Sequence, residues 1–181
     1  MTNILKPIPE PFPSDIAAIL EKYPTVDGYL LKLFRTFANS LRFLTKAVPN
    51  LLDADSPLPM RQREIVILRV TANNKCEYEW GVHVTAFSAH VKLSDEQVAA
   101  TYLHDDAASC WNAEEALLVK VIDELCATGT ISEATLPKFQ SNWTKEQQLE
   151  ILALAGTYHT VSFVANAARV ELEDFGARFP D

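Results

Sequence analysis

The segment from Met60 to Ala72 constrains the fold of this chain more than any other part of the sequence. Its apolar side chains point in nearly every direction around a helix: Ile65, Val66, Ile67, Leu68 and Val70. A helix that is apolar on all sides belongs in a core rather than on a surface. We therefore expect a central helix, with the remaining elements packed around it.

The rest of the sequence also predicts helices. Four pairs have the spacing of capping boxes or related N-caps, in which a small polar residue begins a helix and Glu or Gln follows three residues later. These pairs are Asn74 with Glu77, Ser94 with Gln97, Asn112 with Glu115, and Thr144 with Gln147. The sequence has no alternating strand pattern and no internal repeat, and its 5 glycines in 181 residues leave no glycine-rich phosphate loop. The expected fold is all-α, a single helical domain of about seven helices.

The expected elements follow from caps, prolines and apolar periodicity. Four prolines keep residues 1–13 extended as an N-terminal arm that lies over the surface or over a neighbouring subunit, and the helical domain spans 14–181. Ser14 is expected to cap the first helix, Pro49 to end the second, and residues 104–106 to form a loop. The predicted helices span 14–22, 26–47, 60–72, 75–91, 94–103, 112–127, 132–139 and 144–170.

The composition limits the classes of partner. The net charge is −8 and the sequence pI is about 5.0, which argues against binding to nucleic acid or to an anionic membrane. An anionic substrate is still possible, because the local field of a site can oppose the global charge. No apolar run approaches the roughly 20 residues of a membrane span, and three widely spaced cysteines do not form a disulfide framework. We expect a cytoplasmic protein whose partner is a small molecule.

Residues 76–83 carry the candidate chemistry. Cys76, Glu79 and His83 are spaced i, i+3 and i+7, so at about 100° per residue they share one helical face. Asn74 is expected to cap this helix with Glu77, which puts Cys76 in the first turn, where the helix dipole favours a thiolate. A thiol, a carboxylate and an imidazole on one face form a candidate proton-transfer site.

Each of these residues also has a purely structural interpretation. Cys76 could be a small buried hydrophobe, His83 a satisfied core histidine, and Glu64 one half of a buried ion pair. The flanking Arg61, Arg63 and Arg69 could supply its partner. If Glu64 instead faces the Cys-Glu-His set, burial beside Glu79 suits general acid–base catalysis.

Further residues could complete a pocket or a metal site. Tyr78, Trp80, Phe87 and His90 are expected to line a substrate pocket beside the candidate catalytic residues Glu64, Cys76, Glu79 and His83. Glu79 and His83 have the i, i+4 spacing of metal ligands, but the zinc signature with two histidines at that spacing is absent. We expect no metal and no other cofactor.

Glu64 followed, a dozen residues later, by Cys-x-x-Glu-x-x-x-His resembles the carboxymuconolactone decarboxylase and alkyl hydroperoxidase D superfamily. The resemblance covers most of the chain, from the Arg-Glu-Ile-Val-Ile-Leu-Arg-Val segment at 63–70 to a final helix with Tyr158, Asn166 and Val170. It implies an all-helical alkyl hydroperoxidase D-like fold and homo-oligomers, with sites near subunit contacts.

The two branches of the superfamily imply different chemistry. The hydroperoxidase branch uses two cysteines, a histidine and an upstream glutamate, which correspond here to Glu64, Cys76 and His83, with Glu79 in place of the second cysteine. A carboxylate cannot form a disulfide, so a two-cysteine cycle cannot run locally. The decarboxylase branch needs no cysteine and must protonate a carbanion or enolate, a step that a carboxylate–imidazole pair suits.

Three functions therefore stay open. The leading one is an enzyme of the carboxymuconolactone decarboxylase family that acts by proton transfer on a small carboxylate- or lactone-bearing compound. In that hypothesis His83 is the general acid/base, Glu79 orients it, Glu64 relays protons and Cys76 is auxiliary. The second is a single-cysteine thiol peroxidase that uses Cys76 as its nucleophile. The third is a helical oligomer without enzymatic activity that binds a small ligand or acts as a scaffold.

Overall fold

The computed structural model describes residues 5–47, 51–103 and 107–180. Within those ranges the regular secondary structure is helical, apart from one isolated β-bridge between Val26 and Tyr29. The all-α prediction is confirmed, although the described residues contain nine α-helices and one 3-10 helix rather than about seven helices. They are α1 Ser14–Leu20, α2 Lys32–Phe37, α3 Leu41–Lys46, α4 Met60–Asn73, α5 Glu77–Phe87, α6 Asp95–Tyr102, the 3-10 helix Ala107–Cys110, α7 Ala113–Thr128, α8 Leu136–Asn142 and α9 Lys145–Ala168.

Helix α4 is the centre of the molecule. Every residue from Arg63 to Ala72 is buried, and α4 packs against α5, α6, α7 and α9. This confirms the prediction of a central helix. Its flanking arginines reach outward to form ion pairs, Arg61 with Glu115 and Arg69 with Asp123. The buried helix is therefore tied to its neighbours by charged side chains at the edges of its apolar surface.

The predicted single helix over 26–47 is wrong, because two breaks divide that segment. Asp27 and Gly28 have φ of 50° and 81°, a left-handed conformation that ends any right-handed helix. Residues 26–29 close into a tight turn instead. The second break lies at Ser40, whose hydroxyl accepts a hydrogen bond from the Phe43 amide (3.2 Å) and caps α3. The predicted stop at Pro49 lies outside the described residues.

The capping signals predicted three of the helix starts correctly. Ser94 and Thr144 form complete capping boxes with Gln97 and Gln147, and the Asn112 side chain accepts from two amides in the first turn of α7. Ser14 does not cap α1, because Pro13 holds the N-cap position. The loop predicted at 104–106 lies outside the described residues.

The described part of the N-terminal arm lies along α2. Ile8 and Arg35 exchange two hydrogen bonds, from the Ile8 amide to the Arg35 carbonyl (3.1 Å) and from Arg35 Nε to the Ile8 carbonyl (2.9 Å). Asn39 also donates to the Lys6 carbonyl (2.8 Å). The division of the chain at residue 13 stays a prediction, as does any contact of the arm with a neighbouring subunit.

The residues after α9 return over α5. The Ala177 amide donates to the Gly81 carbonyl (3.1 Å), and the Phe179 amide donates to Glu77 Oε1 (3.0 Å). The Phe179 ring stacks on Tyr102 and tilts against Trp80. This C-terminal strap, residues 169–180, covers the outer side of the helix that carries Glu79 and His83.

Helix α9 is long and apolar enough to cross a membrane by length and composition, and no other helix in the described ranges is. Core helices of soluble proteins meet the same test. Eight residues of α9 between Ile151 and Ala168 are buried, and the helix packs against α4, α5 and α8. These contacts are those of a core helix, and the cytoplasmic location stays a prediction.

Candidate functional site

The side chain of Glu64 on α4 meets that of His83 on α5. Glu64 Oε2 lies 2.8 Å from His83 Nδ1, and the two residues are 2% and 4% exposed. The arginine partners considered for Glu64 are engaged elsewhere: Arg61 and Arg69 in their ion pairs, and Arg63 in a hydrogen bond from Nη1 to the Asp53 carbonyl (2.9 Å). Burial therefore pairs Glu64 with a histidine rather than with an arginine.

Two oxygens lie near the other ring nitrogen of His83. The Tyr158 hydroxyl on α9 is 3.1 Å from Nε2, and Glu79 Oε1, one turn earlier on α5, is 3.4 Å away. The rings of His83 and Tyr158 meet edge to face. Three helices, α4, α5 and α9, thus bring two carboxylates and a phenol around one imidazole.

This surrounding changes the acid–base behaviour of the imidazole. Burial by itself lowers the pKa of His83, but the charge and hydrogen bond of Glu64, reinforced by Glu79, outweigh it and raise the pKa to about 10. Burial and the charges of Glu79 and Glu64 raise the pKa of Tyr158 well above its ordinary value, which Arg63 lowers in part. At neutral pH the cluster therefore contains an imidazolium and a neutral phenol.

Cys76 does not lie where the sequence predicted. Asn74 is the C-cap of α4 rather than the N-cap of α5, and Lys75 turns the chain with φ of 52°. Cys76 itself is the N-cap residue, without a side-chain cap hydrogen bond, and its amide donates to the Thr71 carbonyl (2.8 Å). Its side chain is completely buried.

The environment of Cys76 disfavours a thiolate. Burial raises the pKa of the thiol to about 11, and the charge of Glu79 adds to the increase. The backbone at Glu79 and the nearby Ser162 hydroxyl oppose the shift without cancelling it. The prediction of a thiolate at the start of this helix is therefore wrong, because desolvation outweighs the helix dipole here.

Three polar atoms near the centre of the molecule are buried without a hydrogen-bond partner in the described structure. They are Glu79 Oε2, Ser162 Oγ and Arg63 Nε. Buried polar groups are nearly always paired, and an exception indicates a bound water, a ligand or a catalytic role. The Ser162 hydroxyl lies close enough to the Cys76 thiol to lower its pKa, so Glu79 Oε2 and Arg63 Nε are the clearer exceptions.

Two of the expected pocket residues face other parts of the core. The Tyr78 hydroxyl donates to Glu173 Oε1 (2.7 Å) and accepts from the Leu33 amide (3.1 Å). Trp80 Nε1 donates to Thr101 Oγ1 (2.8 Å). Both residues neighbour Glu79 in sequence, and a helical step of about 100° turns each away from the side of the helix that Glu79 and His83 share.

Phe87 and His90 also have different surroundings. The Phe87 ring lies one turn beyond His83 and packs against its imidazole, with ring centroids 5.2 Å apart. His90 is exposed and lies in the turn that follows α5, because the helix ends at Phe87 rather than near Val91. The structure therefore brings Phe87 to the site and leaves His90 at the surface.

The cluster is closed in the single chain. Cys76, Glu79 and Tyr158 are buried, as Glu64 and His83 are. Two surface pockets of the described residues lie elsewhere, one between the arm, α2 and residues 169–171 and the other between α7 and α8. A small molecule must displace side chains to reach His83.

The described residues include no group of three His, Cys, Asp or Glu side chains arranged to hold a metal ion. Within the cluster, Glu64 and His83 direct their donor atoms at each other at 2.8 Å. The arrangement is that of a hydrogen-bonded acid–base set.

Sequence reasoning found Glu64, Glu79 and His83. It named Arg63 only as a possible partner of Glu64 and Tyr158 only as part of the family resemblance, and it assigned no role to Ser162. One signal was available, because Tyr158 and Ser162 are polar groups one turn apart among the buried positions of α9. Polar atoms on the buried face of an apolar helix require partners. Only the packing of α9 on α5 determines that His83 is one of those partners.

Comparison with known proteins agrees with this picture. The carboxymuconolactone decarboxylase family model matches residues 39–121, the segment that contains Glu64, Cys76, Glu79 and His83. This match supports the resemblance of the chain to the carboxymuconolactone decarboxylase and alkyl hydroperoxidase D superfamily. No curated protein sequence matches it.

Several solved structures share the alkyl hydroperoxidase D-like fold of this chain. An uncharacterized peroxidase-related protein from Silicibacter sp. TM1040 is 17% identical with a TM-score of 0.76, and the alignment covers 98% of this chain and 97% of that one. The apo debrominase Bmp8 is 12% identical with a TM-score of 0.77, over 97% and 95% of the two chains. A peroxidase-related protein from Ralstonia eutropha JMP134, described as an alkylhydroperoxidase AhpD core, is 21% identical with a TM-score of 0.69, over 94% and 93%. At these identities the likeness concerns the fold.

Proposed function

We propose that this carboxymuconolactone decarboxylase-like protein is an enzyme that transfers a proton to or from a small compound bearing a carboxylate or a lactone. The observation that carries the proposal is His83 held between Glu64 and Glu79, with Glu79 Oε2 buried and without a hydrogen-bond partner in the described structure. An unsatisfied carboxylate oxygen beside an imidazolium leaves a position where a substrate atom can bind.

The distances favour a different division of roles from the one that the sequence predicted. Glu64 makes the short contact to Nδ1, so it orients the ring and stabilises its positive charge. The proton on Nε2 faces Tyr158 and Glu79, and it is the proton available for transfer. Glu79, with one oxygen unpaired, is the group that shares this proton with the substrate.

Arg63 supplies a cation that can bind the carboxylate of the substrate. It is buried beneath the surface, its Nε is unpaired, and its charge is near enough to Tyr158 to lower the pKa of that phenol. A guanidinium binds carboxylates through directed N–H groups. A carboxylate held by Arg63 would satisfy the unpaired Nε and bring the reacting carbon towards His83.

The closure of the site favours one competing function. A buried Glu–His pair also serves as a core element in a scaffold or ligand-binding oligomer, and the side chains of the cluster are buried in the single chain. The enzymatic proposal therefore requires that side chains around Glu79 move to admit substrate. The unpaired polar atoms favour the enzyme, because a purely structural cluster gains stability when all its groups are paired.

The single-cysteine peroxidase is less well supported. A peroxidatic cysteine reacts as its thiolate and must be reached by peroxide, whereas Cys76 is completely buried with a pKa raised to about 11. Intact-mass measurement after mild peroxide treatment tests it. We expect Cys76 to stay unmodified, and a sulfenic acid on Cys76 would favour the peroxidase instead.

The decisive experiment follows turnover of a panel of small carboxylated lactones by the wild-type protein, His83→Gln and His90→Gln. We expect His83→Gln to lose about 10²- to 10⁴-fold in turnover, as for a positioned acid–base group. His90→Gln is the matched control, since His90 is exposed, and it should keep full activity. Full turnover by a folded His83→Gln variant would overturn the assignment, and no turnover of any lactone by the wild-type protein would favour the scaffold.

A further inference from the structure

The Phe87 side chain lies between the His83 cluster and the surface. Glu79, His83 and Phe87 follow one another at intervals of four residues, so they share one face of α5. Glu79 and His83 are 7% and 4% exposed, Phe87 is half-buried, and His90, three residues further on, is exposed. Burial along this face therefore ends at Phe87, and the cluster approaches solvent at the C-terminal end of α5.

Packed elements cover other sides of the imidazole. Glu64 on α4 contacts Nδ1 of His83 and Tyr158 on α9 contacts Nε2, and both residues are buried. The C-terminal strap bonds to the outer side of α5 at the Gly81 carbonyl. Opening any of these sides separates packed helices or breaks backbone hydrogen bonds, whereas a half-buried side chain can change rotamer without disturbing the fold.

The Phe87 ring is attached loosely to the rest of the protein. Helical side chains lean towards the N-terminus, which places this ring over the preceding turn, and it packs against the His83 imidazole with centroids 5.2 Å apart. Among the described residues, the partly buried apolar side chains that pack on the hydrophobic core include Met60 and Val84 but not Phe87. Phe87 is also the last residue of α5, and helix ends open more readily than helix interiors.

We propose that Phe87 is the entry gate of the His83 site and sets the size of the molecule that the site accepts. A change of its χ1 rotamer moves the ring off the imidazole, and the substrate takes its place against His83. The ring of Phe87 is flat and apolar, so the space that it vacates suits a compact, flat substrate. This inference rests on the proposed function for its substrate, but the movement of the gate can be measured without turnover.

Exchange of the His83 ring N–H protons with water measures the gate directly. The variants are Phe87→Ala, which removes the ring, and Phe87→Leu, which replaces it with a smaller apolar group. Phe163→Ala is the matched control, because Phe163 is an exposed phenylalanine whose ring packs against another histidine, His159, with centroids 5.5 Å apart. NMR magnetisation transfer from water at constant pH follows the ring protons. The amide of Ile67, in the buried part of α4, reports global opening, and circular dichroism verifies that each variant folds.

We expect the His83 ring protons to exchange about tenfold or more faster in Phe87→Ala than in the wild type, because buried N–H groups exchange only when water reaches them. Phe87→Leu should give an intermediate rate, and Phe163→Ala the wild-type rate. Exchange of the Ile67 amide should not change. Equal ring-proton rates in wild type and both Phe87 variants would overturn the gate. Acceleration of the Ile67 amide to the same extent, or ring protons that already exchange rapidly in the wild type, would overturn it too.

Turnover tests the selection of substrates by size. For a lactone that the wild-type protein converts, Phe87→Ala should raise kcat/KM for bulky derivatives relative to the parent compound by about tenfold. Phe163→Ala should keep the wild-type ratio. An unchanged ratio in Phe87→Ala would overturn the role in size selection. Absence of turnover of any lactone would overturn the proposed function instead, and the ring-proton exchange would still decide whether Phe87 is a gate.

Discussion

The carboxylate of Glu64 and the imidazole of His83 form a buried pair, with Oε2 and Nδ1 2.8 Å apart in the interior of the protein. A charge removed from water is stable only when a partner of opposite charge or a hydrogen bond compensates for the lost hydration. Each residue supplies that compensation for the other, and Glu79 and Tyr158 complete the set at the second ring nitrogen. This relationship connects the stability of the core to the proposed chemistry.

Replacing Glu64 with glutamine should destabilise the protein and lower the pKa of His83. The substitution keeps the shape of the side chain but removes the charge that raises that pKa. Loss of one partner of a buried pair costs about 3–5 kcal/mol, measurable by urea unfolding, while the imidazole titration is followed by NMR. Glu133→Gln, at an exposed position, is the control and should change neither quantity. An unchanged His83 pKa in Glu64→Gln would contradict the pairing.

The stability of the fold should fall as the pH rises above neutrality. The folded pKa of His83 is raised to about 10, whereas an unfolded histidine titrates near 6.5. The pair therefore stabilises the fold fully below about pH 6.5, and this contribution is lost as the pH rises towards the folded value. The loss is at most about 1.4 kcal/mol per pH unit.

Urea unfolding of wild type and His83→Gln at pH 7, 8 and 9 measures this dependence. Subtraction of the variant's free energies removes the contribution of other titrating groups. A difference between the two proteins that stays constant over this range would show that His83 has an ordinary pKa.

Removing the hydroxyl of Tyr158 should reduce activity more than stability. In Tyr158→Phe, His83 Nε2 loses its neighbour at 3.1 Å, so we expect turnover to fall by about 10- to 100-fold and the NMR titration of His83 to shift. Tyr78→Phe is a matched control, because it removes another buried hydroxyl that bonds to Glu173 rather than to His83. Tyr78→Phe should lower the free energy of unfolding and leave the His83 titration unchanged. If the His83 titration shifted in Tyr78→Phe but not in Tyr158→Phe, Tyr158 would not belong to the site.

A methyl group at residue 81 should displace the C-terminal strap. A Cβ built on Gly81 would collide with the carbonyl of Ala177, so Gly81→Ala should destabilise the protein by about 1–3 kcal/mol. Gly156→Ala is the control, because nothing lies within 4 Å of its added Cβ, and it should stabilise α9 by up to about 1 kcal/mol. Thermal unfolding of both variants decides the point, and equal effects would contradict the close approach of strap and helix.

Alkylation by iodoacetamide should rank the cysteines by burial. Cys76 is fully buried, whereas Cys110 and Cys126 are partly exposed. Burial raises the pKa of both Cys76 and Cys126 to about 11, so access of the reagent rather than pKa distinguishes these two thiols. We expect Cys76 to be modified last in the native protein and at the rate of the other two in urea. Peptide mass spectrometry follows each site, and rapid native labelling of Cys76 would show that the cluster opens readily.

Part of the site was predictable because helical periodicity is a local property. The i, i+4 spacing of Glu79 and His83 put them on one face before any packing was known, and the apolar surroundings of Glu64 indicated a buried charge that needs a partner. Cys76 shows the limit of such arguments. Its position in sequence favoured a thiolate, but the extent of its burial, which opposes one, depends on α9 packing over it.

The sequence by itself determined the all-helical class, the central position of α4 and three of the capped helix starts, since apolar periodicity and capping act within a few residues. The tertiary structure alone decided that Glu64 pairs with His83 rather than with an arginine, that Tyr158 joins them from α9, and that the strap covers α5. Those contacts join residues up to about a hundred positions apart. They depend on how helices pack around α4, and no local pattern in the chain encodes that arrangement.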